Sequence, residues 1–166
     1  KEAPNKNLQM ELLRKLLNDE VKSMSRRNVV QSRKFSEMLE KTILQYQNRT
    51  LEAAQVILEL IEMAKQIRDL AERGNPLNLN EDEVAFYDAL AAHGNVKELM
   101  GDKVLSNIAV DLVRLIRQSV SIDWTIKESV RAKMRVQVKK LLRKHGYPPD
   151  QREEAVLTVI EQAEQV

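Results

Sequence analysis

The chain has 166 residues, with 27 basic and 25 acidic side chains and no cysteine. The length suits a single domain over residues 1–166. The lack of cysteine excludes disulfide frameworks, cysteine zinc sites and thiol nucleophiles, and it is compatible with a cytoplasmic location. The longest stretch without a charge, Ala89 to Val96, is far below the roughly 20 apolar residues of a membrane-spanning helix. We therefore expect no membrane contact. Because the first residue is Lys1 rather than Met, we also expect further residues before it in the whole protein.

Apolar side chains recur at helical spacing along the chain, and no stretch shows the sustained alternation of a strand. The pattern predicts an all-α fold, a compact bundle of about seven helices. The predicted helices cover residues 6–23, 32–48, 51–73, 81–93, 103–121, 126–145 and 149–165, with a short helical turn at 96–100 and a loop at 74–80. We expect the apolar stripe of each helix to face the core. In the first helix the stripe is Leu8, Leu12, Leu13, Leu16 and Leu17, and in the third it is Leu51, Ala54, Ile57, Leu58, Ile61, Ala64 and Ile67.

Capping residues mark several of the predicted helix ends. Gly94 and Gly146 stand where a helix closes on a left-handed residue, because glycine has no Cβ to oppose positive φ. Pro149 suits the first turn of the last helix, where its missing N–H costs little. The predicted N-caps are Thr50, Asn80 paired with Glu83, and Thr125 paired with Glu128.

The formal net charge of +2 hides four blocks of alternating sign. Residues 1–50 have a net charge of +5, residues 51–102 of −7, residues 103–148 of +8 and residues 149–166 of −4. Blocks of opposite sign are expected either to neighbour each other in the fold or to offer a basic face to an anionic partner.

The sequence contains no motif that we can assign to catalysis or metal binding. The four glycines form no phosphate-binding P-loop. His93 and His145 have no metal-like partner three or four residues away, and each precedes a glycine at a predicted helix end, where the helix dipole favours a histidine. The run Glu81 to Glu83 suits the first turn of a helix for the same electrostatic reason. We therefore predict no catalytic residue, no metal site and no cofactor in this chain.

The predicted helix at 126–145 is strongly basic. It contains eight Lys and Arg side chains and a single acidic side chain, Glu128, whereas ordinary helix surfaces mix both signs. A solvated amphipathic face with cations near the helix C-terminus is the plainer interpretation, but it leaves the scarcity of acids unexplained. We predict a surface that meets an acidic surface, within the chain or in a partner, or that lies near DNA. Its candidate residues are Lys127, Arg131, Arg135, Lys139, Lys140, Arg143 and Lys144.

Seven segments of the chain carry a pattern that belongs to a known family. They are 31–40 (QSRKFSEMLE), 46–49 (YQNR), 53–57 (AAQVI), 83–90 (EVAFYDAL), 122–125 (IDWT), 128–133 (ESVRAK) and 141–150 (LLRKHGYPPD). These segments resemble the C-terminal helical region of the R (HsdR) subunits of type I restriction enzymes, and their order and spacing fit that region over nearly the whole chain.

The resemblance implies a fragment of a large ATP-dependent DNA translocase and endonuclease. The nuclease domain and the two RecA-like motor domains, with their ATP and Mg, are expected outside these residues, so no catalytic residue of the family carries over. The implied partners are the methyltransferase and specificity subunits, with DNA reached through that complex. The alternative is a free-standing helical nucleic-acid-binding module. An enzyme is a third interpretation, which the missing motifs disfavour.

Overall fold

The computed structural model describes residues 2–72, 74–119 and 128–165, and these residues fold entirely as helices joined by turns. Seven helices of 11 or more residues match the seven predicted ones, so the all-α fold is confirmed. No strand occurs within the three described ranges, and none of their helices is long and apolar enough to cross a membrane. The helices are α1 (Glu2–Met24), α2 (Val29–Gln47), α3 (Ala53–Glu72), α4 (Gly74–Leu77), α5 (Glu81–Ala91), α6 (Val96–Met100), α7 (Asp102–Ser119), α8 (Glu128–Lys144) and α9 (Pro149–Ala163).

Two of the predicted caps are confirmed. The side chain of Asn80 accepts a hydrogen bond from the Glu83 N–H, and the Glu83 carboxylate accepts one from the Asn80 N–H, which completes a capping box. At the end of α8, Gly146 has φ of 76°. Its N–H donates to Arg143, and the Tyr147 N–H donates to Leu142 at 2.9 Å. This pair of bonds is a Schellman motif.

The predicted start of the third helix is wrong by two residues. The N–H groups of Thr50 and Leu51 both donate to the carbonyl of Gln45, at 2.8 and 3.3 Å. These residues therefore close α2, and α3 begins only at Ala53. The predicted loop at 74–80 also contains the single helical turn α4. The predicted Thr125 cap lies outside the described residues.

Contacts within the chain group it into two compact units. Unit 1 comprises residues 1–25 and 31–72, and unit 2 comprises residues 26–30 and 73–166. The single domain predicted for residues 1–166 stays a prediction. The core of unit 1 is small and contains ten buried apolar side chains from α1, α2 and α3: Met10, Leu17, Val21, Met24, Phe35, Leu39, Ile43, Val56, Leu60 and Met63.

The predicted core stripes of α1 and α3 do not match the faces that these helices bury. In α1, Leu17 is buried but Leu8, Leu12 and Leu16 are exposed, and the face also buries Met10 and Val21. In α3 the buried side chains are Val56, Leu60 and Met63, whereas Leu58 and Ile61 face outward. Both helices carry apolar residues on more than one side, so spacing alone selected stripes that face the core only in part: Leu13, Ile57 and Ile67 are partly buried and pack against it.

Unit 2 buries 21 apolar side chains in one cluster. The predicted stripe of α7 is Leu105, Ile108, Ala109, Leu112, Leu115 and Ile116. All of its members are buried except Leu115, which is partly buried and packs against the cluster. The predicted stripe of the last helix is confirmed as well, with every member buried: Ala155, Val156, Val159, Ile160 and Ala163. This core sets the orientation of α8, which carries the predicted surface.

Candidate interaction surface

Helix α8 is anchored in unit 2 by one apolar row. Met134, Val138 and Leu142 are buried and pack in the main cluster of the unit. Because each residue turns a helix by about 100°, this row determines where every other side chain of α8 points. The predicted cations therefore divide into two groups according to their angle from the buried row.

The first group lies beside the buried row and pairs with acids of the same unit. Arg131 forms an ion pair with Glu164 of α9, and Lys139 lies 3.4 Å from Glu153 of the same helix. Arg135 lies 2.6 Å from Glu128 on α8. The expectation that blocks of opposite charge neighbour each other is confirmed here, because the pairs with α9 join the basic block at 103–148 to the acidic block at 149–166.

The second group points away from the core and consists of Lys133, Lys140, Arg143 and Lys144, which we call the α8 cation strip. All four side chains are exposed, and within the described parts of the chain none has an ionic partner. Lys133, Lys140 and Lys144 fall within an arc of roughly 40° by helical geometry. The strip therefore keeps its charge available to another molecule.

An apolar side chain lies among these cations. Val136 is 53% exposed, and by helical geometry it points between Arg143 and Lys140. Neither Val136 nor Lys133 is among the residues predicted for this surface from the sequence. Both residues are identified by their angle around the axis of α8 relative to the buried Met134, Val138 and Leu142, and not by their spacing along the chain.

The other candidate residues remain predictions. Lys127 lies outside the described residues, as does the neighbouring Thr125. An interface role for Arg131, Arg135 and Lys139 is still a prediction, although the structure shows that each already has an intramolecular carboxylate.

The acidic run at 81–83 is also explained by contacts within unit 2. Glu83 completes the capping box, Asp82 forms a 2.9 Å hydrogen bond with Arg117, and Glu81 lies 3.8 Å from Arg27. Each carboxylate thus has a separate partner. In the described ranges, no three His, Asp or Glu side chains are grouped in a way that would hold a metal ion.

Both histidines contact side chains of other helices. The His145 ring lies 3.0 Å from Asp111 of α7. The His93 ring lies 2.9 Å from the hydroxyl of Thr158 on α9. These contacts tie the ends of α5 and α8 to neighbouring helices, which is a structural role in addition to the predicted dipole interaction.

Tyr147 is a buried titratable group whose pKa is shifted by its surroundings. Its side chain is fully buried, and its hydroxyl donates a 2.7 Å hydrogen bond to the Leu90 carbonyl. Burial, and secondarily the charge of Glu154, raise the pKa of Tyr147 well above its ordinary value of 10.0. The phenol therefore stays protonated at neutral pH and acts as a hydrogen-bond donor within the core.

Two open grooves lie on unit 1. One, of about 430 Å³, runs between α1 and α2 and includes Arg14, Glu40 and Leu44. The other, of about 380 Å³, runs between α2 and α3, where the Thr42 hydroxyl donates to Glu59 at 3.1 Å. Both combine apolar and charged side chains, and histidine lines neither.

The fold and this surface define the chain as an all-α protein with a strip of exposed cations that have no ionic partner among the residues the structure describes. A protein-family model described as "Type I restriction enzyme HindI endonuclease subunit-like, C-terminal" matches residues 1–166. The chain therefore belongs to this family of C-terminal regions of type I restriction enzyme endonuclease subunits, and the family resemblance found in the sequence is confirmed.

Two curated relatives agree with this assignment. The chain is 39% identical over 166 residues to the type I restriction enzyme HindI endonuclease subunit of Haemophilus influenzae, a match that covers all of this chain and 16% of that subunit. It is 35% identical over 137 residues to the putative type I restriction enzyme MjaIXP endonuclease subunit of Methanocaldococcus jannaschii. That match covers 82% of this chain and 13% of the relative. The chain thus spans less than a fifth of either relative. No solved structure matches it significantly.

Proposed function

We propose that this chain is the C-terminal assembly domain of a type I restriction endonuclease R subunit and that it docks this subunit on the methyltransferase–specificity core. In this proposal the whole subunit performs ATP-dependent DNA translocation and cleavage through residues outside the chain. The family match supports the placement in an endonuclease subunit. The α8 cation strip supports the docking role.

The single observation that carries the docking role is the lack of intramolecular ionic partners for the strip among the described residues. Arg143 and Lys144 occupy the last turn of α8, where the helix dipole alone favours cations. Lys133 and Lys140 lie earlier in the helix, where that explanation does not apply. Unpaired charges of one sign raise the rate of encounter with a surface of opposite charge and select against wrong partners.

Two features favour an acidic protein surface over nucleic acid as the partner. Val136 lies among the cations and is more than half exposed. An apolar centre with a charged rim is typical of protein–protein interfaces, whereas contacts to phosphates come from cationic and polar groups. The described part of α8 also has no aromatic side chain on which a base would stack.

The test is charge reversal in the full-length R subunit. The triple variant Lys133→Glu, Lys140→Glu, Lys144→Glu is compared with a control that reverses three exposed lysines on other helices: Lys65, Lys97 and Lys103. We expect the strip variant to raise the Kd for the methyltransferase–specificity core by about 10–100-fold at low salt and the control to change it little. The effect should shrink as salt rises, because exposed charges are screened.

Arg131 and Arg135 are left intact in this design because their loss would also break ion pairs within unit 2. An unchanged Kd for the strip variant would contradict docking through α8.

The second candidate, a free-standing nucleic-acid-binding module, depends on the same four cations. It predicts that residues 1–166 on their own bind duplex DNA, with an affinity that falls steeply as the salt concentration rises. In that case the slope of log K against the logarithm of the salt concentration would be less negative for the strip variant. The slope would change by about 0.9 for each phosphate that the variant no longer neutralises. Filter binding or fluorescence anisotropy over a range of salt concentrations separates the two candidates.

A further inference from the structure

Helix α1 carries a row of leucines that the fold leaves uncovered. Leu8, Leu12 and Leu16 are 61%, 55% and 65% exposed. They recur every four residues, so each is turned only about 40° from the last, and together they span about 12 Å of the helix. We call these three residues the α1 leucine row.

The opposite side of α1 already supplies the core of unit 1. Met10, Leu17, Val21 and Met24 are buried there. A helix on the surface of a globular protein has one apolar stripe and a polar face opposite it. Because α1 has apolar rows on two opposite sides, its sequence suits a helix that is packed on both.

The exposed apolar surface is also unevenly distributed between the two units. Six of the ten large apolar side chains exposed in the described structure belong to unit 1. On α8 and α9 such side chains occur singly, as Val136 and Leu157. Single exposed apolar residues are ordinary, whereas a contiguous group marks an interaction site.

The relatives contain a large additional chain that could cover the α1 leucine row. The matched region is described as C-terminal, and it accounts for only 16% of the HindI subunit of Haemophilus influenzae. In such a subunit most of the chain precedes this region and is connected to it through α1. Because the preceding part of such a subunit is covalently linked to this region, its effective concentration near α1 is in the millimolar range. A short apolar row is therefore enough to hold the two surfaces together.

We propose that the α1 leucine row packs against the part of the same R subunit that precedes this chain. This inference rests on the part of the proposed function that places the chain in a larger subunit, but it does not depend on the α8 cation strip. Helix α1 would then join the C-terminal region to the rest of the subunit as a packed helix rather than as an exposed one.

The test uses the absence of cysteine in the chain. In the full-length subunit, Leu12→Cys introduces a thiol on the row, and Leu157→Cys introduces a control thiol on α9 at a site that is 58% exposed. The rate of maleimide labelling at each site is followed by mass spectrometry of its peptide. We expect Leu12→Cys to react at least tenfold more slowly than Leu157→Cys in the folded subunit and at the same rate in urea.

Three results would overturn the proposal. Equal rates in the folded subunit would mean that the row is uncovered. Protection that appears only after the methyltransferase and specificity subunits are added would assign the row to the complex. Protection that rises with the concentration of the subunit would assign it to a second copy.

Two controls keep the test decisive. Leu16→Cys, on the same row, repeats the measurement if Leu12→Cys does not fold. A failure of the α8 charge-reversal test would leave the labelling difference unaffected, so the two proposals fail separately.

Discussion

The side chain of Gln162 on α9 caps the first turn of α2 by accepting a 2.8 Å hydrogen bond from the Val29 N–H. Its amide nitrogen donates at 2.9 Å to the Arg27 carbonyl, and the side chain is only 1% exposed. One buried amide therefore satisfies a free N–H at a helix start and a carbonyl just before it. This contact holds residues 26–30 within unit 2.

Replacing Gln162 with leucine should destabilise the chain by about 2 kcal/mol. The change keeps the approximate volume but leaves a buried donor and acceptor without their partner, which costs about 1–3 kcal/mol. Urea unfolding measures the change in free energy. The control is Gln137→Leu on the exposed side of α8, which should change the stability by less than about 0.5 kcal/mol. Equal effects of the two substitutions would show that the Gln162 amide contributes no net stability.

The Tyr147 hydroxyl should make the stability of the chain fall at alkaline pH. Because burial raises the pKa of Tyr147 above 10.0, the folded state binds a proton that the unfolded state releases above that pH. The contribution is therefore complete below pH 10 and is lost as pH rises further, with a slope of at most about 1.4 kcal/mol per pH unit.

The variant Tyr147→Phe tests this relation. At pH 7 it should cost about 1 kcal/mol, because the Leu90 carbonyl loses its buried donor. Above pH 10 the difference from the unmodified chain should shrink, since the variant has no phenol to ionise at this position. Unfolding in denaturant between pH 7 and pH 11 gives both values. Tyr46→Phe, which removes an exposed hydrogen bond to Asn7, is the matched control. A difference that stays constant with pH would contradict the raised pKa.

The structure shows which parts of the fold local spacing predicts and which it does not. In α7 and α9 most apolar residues lie on one face, with Val104 and Leu157 as exposed exceptions, so their 3.6-residue period identified most of the buried apolar side chains. In α1, Leu8 and Leu12 are as apolar as Leu17, yet only Leu17 is buried. A helix with two apolar faces contains two valid periodic patterns, and only its tertiary contacts select between them.

The α8 surface shows a similar limit. The sequence shows a row of cations every four residues, which is a correct description of Arg131, Arg135 and Lys139. It contains no local signal that Glu153 and Glu164, on a helix that begins at Pro149, would neutralise part of this row. Long-range pairing therefore decided which of the predicted cations remain available, and only the three-dimensional structure separates the two groups.

The ends of α2 and α8 allow a paired test of backbone strain. Both helices close on a residue with positive φ, which is Arg49 at 58° after α2 and Gly146 at 76° after α8. A side chain disfavours this conformation by roughly 1 kcal/mol. A Cβ at position 146 would meet nothing within 4 Å, so a substitution there measures the backbone conformation alone.

Exchange of residue type at these two positions should have opposite effects. We expect Arg49→Gly to stabilise the chain by about 0.5–1 kcal/mol and Gly146→Ala to destabilise it by about 1 kcal/mol. Thermal unfolding with a two-state fit provides both values. Gly94→Ala should cost about as much as Gly146→Ala, because the atom that its Cβ would meet at 2.9 Å is the amide end of the flexible Gln151 side chain, which can move aside. A destabilised Arg49→Gly variant would indicate that the arginine side chain contributes more than its strained backbone costs.

Double-mutant cycles should rank the two ion pairs between α8 and α9. Arg131 and Glu164 are each about one-third exposed, whereas Glu153, the partner of Lys139, is 82% exposed. Exposed pairs contribute roughly 0–1 kcal/mol because water and salt screen them. We therefore expect a coupling energy of about 1 kcal/mol for Arg131→Gln with Glu164→Gln, and one near zero for Lys139→Gln with Glu153→Gln. Urea unfolding of the single and double variants gives both coupling energies. Equal coupling in the two cycles would contradict this ranking, because it would show that the exposure of the partner carboxylate does not determine how much an ion pair between α8 and α9 contributes to stability.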